Sequence, residues 1–128
     1  MKRFHIDADF LVHALGSRGS AWRRLRKLNE EDVELEISAI AWYEFVRGPR
    51  SPEQIAVARS LFQEEAVIAF SEAHAEHAAD VFRLLGSPRR RAADIAIGVT
   101  AIDRDAALLT GNSRDYSGID GLVLEPMA

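Results

Sequence analysis

Asp7, Glu44, Asp94 and Asp115 are four acids spread along the chain, each set in or beside apolar sequence. Asp7 follows Arg3-Phe4-His5-Ile6, and Glu44 lies within Ile40-Ala41-Trp42-Tyr43-Glu44-Phe45-Val46. Asp94 is flanked by Ala92, Ala93, Ile95, Ala96 and Ile97, and Asp115 follows Leu108-Leu109-Thr110-Gly111-Asn112. Burying an unpaired charge is costly. Several carboxylates converging on one point raise that cost further, unless a divalent cation neutralises them. If a fold gathers these four, the chemistry is that of a Mg²⁺- or Mn²⁺-dependent enzyme. Each acid alone also has a structural reading: Asp7 as a turn residue, Glu44 on a solvated helix face, Asp94 as a partner of a helix dipole, and Asp115 in a loop.

The elements that must position them follow from periodicity and punctuation. Residues 3–7 read as a buried strand, followed by a helix over about 10–15 that Gly16 ends. Ser20 is placed to cap a second helix reaching about Glu30, with Trp22, Leu25 and Leu28 on one face. Val33, Leu35 and Ile37 alternate with Glu34 and Glu36, which predicts a strand with one wet face or an edge position. Ser38 caps a helix to about Arg47 that Gly48-Pro49 stops, and Ser51-Pro52-Glu53 opens another to about Glu64. A third strand covers 66–70, and Ser71 caps a helix to Leu85. A largely apolar helix covers 91–105, a fourth strand 106–109 and a fifth 122–124. Strands separated by helical crossovers imply an α/β fold. The expected form is a three-layer α/β/α sandwich around a mostly parallel, roughly five-stranded sheet, as a single domain over 1–128. Ligands of such sheets bind beyond the carboxyl ends of the strands, at the switch point. Asp7, Glu44 and Asp115 all follow strand ends.

Composition narrows the class. With 128 residues, 48% hydrophobic and 28% charged, the chain has the composition of a soluble globular domain. No apolar run approaches the ~20 residues of a membrane helix, and Asp7 and Asp9 interrupt any signal-like segment at the start. A cytoplasmic location is the default expectation. The absence of cysteine excludes disulfides, zinc-thiolate sites and thiol catalysis. The net charge of −4 argues against a general nucleic-acid coat. Arginine is nonetheless clustered at Arg23-Arg24-Leu25-Arg26-Lys27 and Arg89-Arg90-Arg91. Arg89, Arg90 and Arg91 directly precede Asp94 and are candidate phosphate holders, with a solvated face as the alternative. His74 and His77, one helical turn apart, read as a solvated helix face, and Trp22, Trp42 and Phe82 as core or interface anchors.

Four segments in order resemble the PIN-domain ribonucleases, in particular the VapC-type toxins of bacterial toxin–antitoxin pairs. They are Ile6-Asp7-Ala8-Asp9-Phe10-Leu11-Val12; Ser38-Ala39-Ile40 with Glu44 and Gly48; Ala93-Asp94-Ile95-Ala96-Ile97; and Thr110-Gly111-Asn112-Ser113-Arg114-Asp115-Tyr116, before a last apolar strand ending near Pro126. The resemblance implies hydrolysis of RNA phosphodiesters with one or two Mg²⁺ or Mn²⁺ ions. Asp7 and Asp94 are then direct ligands, and Glu44 and Asp115 complete the acidic set. Asn112 and Thr110 support it, and Asp9 adds a charge nearby or caps the next helix. The resemblance also implies an antitoxin partner and a homodimer; apolar residues on the second and fourth helices, Trp22, Leu25, Ile55, Leu61 and Phe62, are candidate surfaces, with core packing as the alternative. One departure stands out: Ala8 and Asp9 occupy positions where the family usually has Thr and then Asn or Ser.

Two rival readings remain. A degenerate PIN-like domain binds RNA or protein without cutting; Ala8 favours it and retention of all four acids opposes it. A haloacid-dehalogenase-like phosphatase matches Asp7-Ala8-Asp9 after a strand, but it needs a later lysine, and none follows Lys27. Converging like charges also carry a stability expectation. At ~4–6 Å they repel and raise each other's pKa. Asp7→Asn and Asp94→Asn are thus each expected to melt at or above the metal-free parent.

Overall fold

The structure is a computed structural model that describes residues 2–17 and 19–125. Its elements run β1 (Lys2–Ile6), α1 (Ala8–Ser17), α2 (Ser20–Glu30), β2 (Val33–Ser38), α3 (Ala39–Val46), α4 (Pro52–Ser60) and β3 (Val67–Ile68). They continue with α5 (Glu72–Leu84), a 3-10 turn (Arg89–Arg91), α6 (Ala92–Asp103), β4 (Ala107–Leu109), a second 3-10 turn (Ser113–Tyr116) and β5 (Leu124–Glu125). The sheet order is β3-β2-β1-β4-β5, and every neighbouring pair is parallel. The α/β architecture read from the sequence is thus the one observed. The chain builds outward from β1 through β2 to β3, then returns to the other side of β1 for β4. The switch point lies between β1 and β4, where Asp7 and Thr110 end their strands.

Local chemistry explains most boundaries. Ser38, Ser51 and Ser71 each accept a hydrogen bond from the backbone N–H three residues on, capping α3, α4 and α5 as expected. Gln54 and His74 close the last two as capping boxes, so His74 serves a helix start. Other boundaries differ. The first helix starts at Ala8, not near Phe10, because Asp7 itself caps it: Phe10 N donates to Asp7 Oδ1 at 2.8 Å. It also runs through Gly16 to Ser17, so the glycine does not end it. Asp9 therefore sits in the first turn instead of capping it. Ser20 begins α2, whose cap is Gly19 without a side-chain bond. The fourth helix stops at Ser60, short of Glu64, and Glu65 adopts a left-handed φ of 68°. The third and fifth strands shrink to two residues each, and Pro126 lies outside the described residues.

The core is continuous. Phe10, Phe45, Ile6, Leu11, Leu25, Ile37, Ile95, Ile97, Leu108 and Leu109 are fully buried. At about 25 cal/mol per Å² of apolar surface, each such side chain contributes ~1.5–3 kcal/mol. The residues considered above as a dimer surface belong here. Leu25, Leu61 and Phe62 are buried in the core, and Trp22 and Ile55 are partly buried and packed against it. Glu36 overturns the wet-face reading of β2. It is buried on an interior strand, in an ion network with His5 and Arg104. Among the described residues, no helix is long and apolar enough to cross a membrane.

Candidate active site

A cavity of about 390 Å³ opens at the carboxyl edge of the sheet, lined by all four acids identified from the sequence. Asp7 comes from the end of β1, Glu44 from α3, Asp94 from the first turn of α6 and Asp115 from the 3-10 turn after β4. Asp9 and Ala8, in the first turn of α1, line the same cavity.

Asp7 is the most constrained of the four, at 3% exposure. Its Oδ1 accepts from Phe10 N at 2.8 Å. Its Oδ2 accepts from Thr110 Oγ1 at 2.5 Å and from the Tyr116 hydroxyl at 3.1 Å. Thr110 Oγ1 in turn accepts from Asn112 N at 3.0 Å, and Asn112 Nδ2 donates to Asp115 Oδ2 at 2.5 Å. One chain of hydrogen bonds therefore runs from Asp7 through Thr110 and Asn112 to Asp115. Within it Asp115 lines the cavity and Asn112 holds it from behind. Tyr116 was quoted in the sequence motif without a role, and its contact with an acid 109 residues away had no local signal.

Electrostatics record the crowding. Asp94 is pushed up to about 6, first by burial, then by the charges of Asp115, Glu44, Asp7 and Asp9. Glu44 is raised by burial, with Arg47 opposing and Asp9 and Asp7 adding to the rise. Asp7 is raised by burial despite its three hydrogen-bond donors. Burial also raises the Tyr116 hydroxyl, so it stays protonated and donates.

The basic residues divide. Arg89 and Arg90 are exposed on the 3-10 turn and do not line the cavity. Arg91 donates from Nε and Nη2 to the Asp115 carbonyl at 3.4 and 3.3 Å, and from Nη2 to the Ser117 carbonyl. It fastens the loop that carries Asp115 to the start of α6. The cations that do line the cavity are Arg47 and Arg50, neither singled out from the sequence. Arg47 stands one helical turn after Glu44, and that spacing was the available signal.

The donor set is all carboxylate oxygen, which suits a hard divalent cation. Among the described residues, no three Asp, Glu or His side chains stand close enough to hold a metal ion as they are. The fit is therefore one of donor chemistry: four carboxylates around one cavity, with Asp7 held by three hydrogen bonds and Asp115 by Asn112.

These shifts set a pH dependence for the metal-free protein. A carboxylate whose folded pKa is raised stabilises the fold fully below its unfolded value and loses that contribution as pH climbs through the folded value. For Asp94 the window runs from 3.8 to about 6, and Asp7 and Glu44 act with the same sign. Glu36 opposes them. Burial pushes its carboxyl up, but hydrogen bonds and charge from His5 and Arg104 outweigh that and lower it. Its contribution is lost only on acidification below the ordinary carboxylate range. Melting in EDTA should therefore show greater stability near about pH 5 than near about pH 7.5. A profile that rises across that interval would contradict repulsion among the acids.

The chain matches the PIN domain family over residues 5–122. No curated protein matches it. Among solved structures it is similar to VapBC2 from Rickettsia felis bound to a promoter DNA fragment, with TM-score 0.75 and 19% identity, covering 97% of this chain and 98% of that one. It is similar to a toxin–antitoxin complex from Klebsiella pneumoniae, with TM-score 0.70 and 25% identity over 96% of each chain. DNA-bound VapBC from Salmonella typhimurium gives TM-score 0.73 at 18% identity over the full length of both chains. With a family match spanning nearly its whole length and the matching fold, the chain belongs to the PIN-domain family.

Proposed function

We propose that this protein is a divalent-metal-dependent ribonuclease, acting as the toxin of a toxin–antitoxin pair. The observation that carries the reading is the single cavity lined by Asp7, Glu44, Asp94 and Asp115, in which burial and then the charges of the other three and of Asp9 push Asp94 up to about 6. Asp7 and Asp94 would hold the ion, with Glu44 and Asp115 completing the set. When bound, Mg²⁺ or Mn²⁺ supplies charge neutralisation at the phosphate and activation of a water. The chain's own groups do the rest. Among the described residues no Ser, Thr, Cys, Lys or His lines the cavity, and the Tyr116 hydroxyl is taken up by Asp7, which supports water as the attacking group. Thr110 and Tyr116 hold Asp7 Oδ2 by two hydroxyl donors, which fixes the carboxylate without neutralising it. Arg91 holds the Asp115 loop in place.

The toxin part of the reading is supported by the structural neighbours, which are toxin–antitoxin complexes. It carries the expectation of a small antitoxin encoded next door, of a homodimer, and of a cytoplasmic setting. The direct test is cleavage of labelled RNA by the pure protein. Activity should vanish in EDTA and return with Mn²⁺, in protein shown by melting to be folded in both conditions. Cleavage that persists in EDTA sinks the metal mechanism. RNA binding without any cleavage in Mn²⁺ would favour the degenerate, non-cutting reading that Ala8 suggests.

A further inference from the structure

Arg50 lines the acidic cavity yet pairs with no carboxylate among the described residues. Its neighbour Arg47 approaches Glu44 at 4.0 Å, but Arg50 is held differently. Its guanidinium carbon stands 5.1 Å from the centre of the Phe45 ring, and Nη1 donates to the Pro49 carbonyl at 3.4 Å. Gly48 makes room for this posture: a Cβ there would meet the guanidinium at 3.2–3.4 Å. A ring face and a glycine thus position a cation in the lining of the cavity, with most of its donors free. Cation–π contact orients a guanidinium without consuming its N–H groups. Arg47 rests the same way over Tyr43, its guanidinium carbon 5.2 Å from the ring centre.

We infer that Arg50, assisted by Arg47, forms a subsite for a second backbone phosphate, next to the one that is cut at the acids. The inference rests on the ribonuclease reading and deepens it. The four acids repel a polyanion, and a metal ion answers only for the scissile phosphate. The adjoining phosphate needs its own cation, and the planar fork of arginine matches two phosphate oxygens. The substrate class that follows is a polynucleotide with at least two consecutive phosphodiesters.

The test compares the parent with Arg50→Gln, Arg50→Lys and Gly48→Ala, using a labelled RNA of mixed sequence in Mn²⁺. Loss of one charge-assisted phosphate contact should raise KM roughly tenfold in Arg50→Gln, with kcat close to the parent's. Arg50→Lys keeps the charge but loses the fork and should fall between. Gly48→Ala leaves the arginine and displaces its guanidinium, so KM should rise by less. The slope of log affinity against log salt should flatten by about 0.7 in Arg50→Gln, one phosphate's worth on a single strand. A neutral methylphosphonate beside the cleaved linkage should impair the parent and leave Arg50→Gln no worse. Unchanged KM and salt slope in all three variants overturn the subsite while metal-dependent cleavage stands. If the parent cuts nothing, the ribonuclease reading fails on its own. Fluorescence anisotropy of the same RNA then decides: weaker binding and a flatter salt slope in Arg50→Gln support the subsite, and equal binding overturns it.

Discussion

Asp94→Asn should abolish metal-dependent cleavage and raise the melting temperature of the metal-free protein. Both effects have one cause. Asp94 sits half-buried with Asp115, Glu44, Asp7 and Asp9 around it, and burial and their charges push it up to about 6. The neutral amide keeps the shape and removes the repulsion. The relief is about 1–2 kcal/mol at neutral pH, after allowing for solvent that reaches the carboxylate. For a domain of this size that corresponds to a rise of roughly 3–8 °C. If Asp94 holds the ion as proposed, its loss removes several kcal/mol of charge stabilisation, at least about a hundredfold in rate. Mn²⁺ should stabilise the parent, because an ion that binds only the folded state shifts the equilibrium toward it. It should barely move the variant.

Asp7→Asn should lose activity as completely but part company in stability, contrary to what charge alone suggests. The carboxylate Oδ2 accepts from two hydroxyls, Thr110 and Tyr116, in a buried setting. An amide N–H₂ at that place faces two donors. Turning the amide over does not help, because its N–H₂ then faces the backbone N–H of Phe10, which can only donate. A buried donor left without a partner costs about 1–3 kcal/mol, which cancels or exceeds the electrostatic relief. The metal-free Asp7→Asn protein should therefore melt at or below the parent while Asp94→Asn melts above it. If both variants melt lower and still respond to Mn²⁺, the acids do not form a shared site.

How much of this was legible beforehand depends on the range of each interaction. Ser38, Ser51 and Ser71 announced their helices because a cap and the N–H it serves lie three residues apart. The sheet followed from the alternation of strand and helix, and the four acids stood out against apolar flanks. The features that escaped join distant parts of the chain. Glu36 alternates with apolar neighbours like a solvated residue, but its partners His5 and Arg104 lie 31 and 68 residues away. Arg50 lay beyond a helix stop and read as loop. Its place at the cavity depends on how α3 docks beside α1 and α6. The triple arginine at 89–91 was visible as charge, but only the fold reveals that Arg91 points at backbone carbonyls.

Glu36→Ala should be the most destabilising single substitution considered, and should leave metal binding intact. The carboxylate is 3% exposed and fully surrounded. His5 Nδ1 lies 2.7 Å from Oε2, Arg104 reaches Oε1 at 3.0 Å from Nη2, and Arg3 Nε stands 3.5 Å from Oε1. The parallel register of β1 and β2 sets His5 directly opposite Glu36. Truncation leaves Arg104 without its anion. It also strands a wholly buried imidazole whose Nε2 already lacks a partner. Arg104 is 37% exposed and Arg3 keeps Glu34, so the loss comes chiefly from the stranded imidazole and is about 2–3 kcal/mol, less than for a fully buried pair. In a domain of this size the expected fall is roughly 6–12 °C. Glu36→Gln keeps the hydrogen-bond geometry for one donor and should fall less. The network does not line the acidic cavity, so the shift produced by Mn²⁺ should match the parent's in both variants. That pattern is the mirror of Asp94→Asn, where stability rises and the metal response disappears. A small loss in Glu36→Ala would mean that Arg104 and Arg3 swing to solvent when released, and that the network organises the β1–β2 pairing without holding it together.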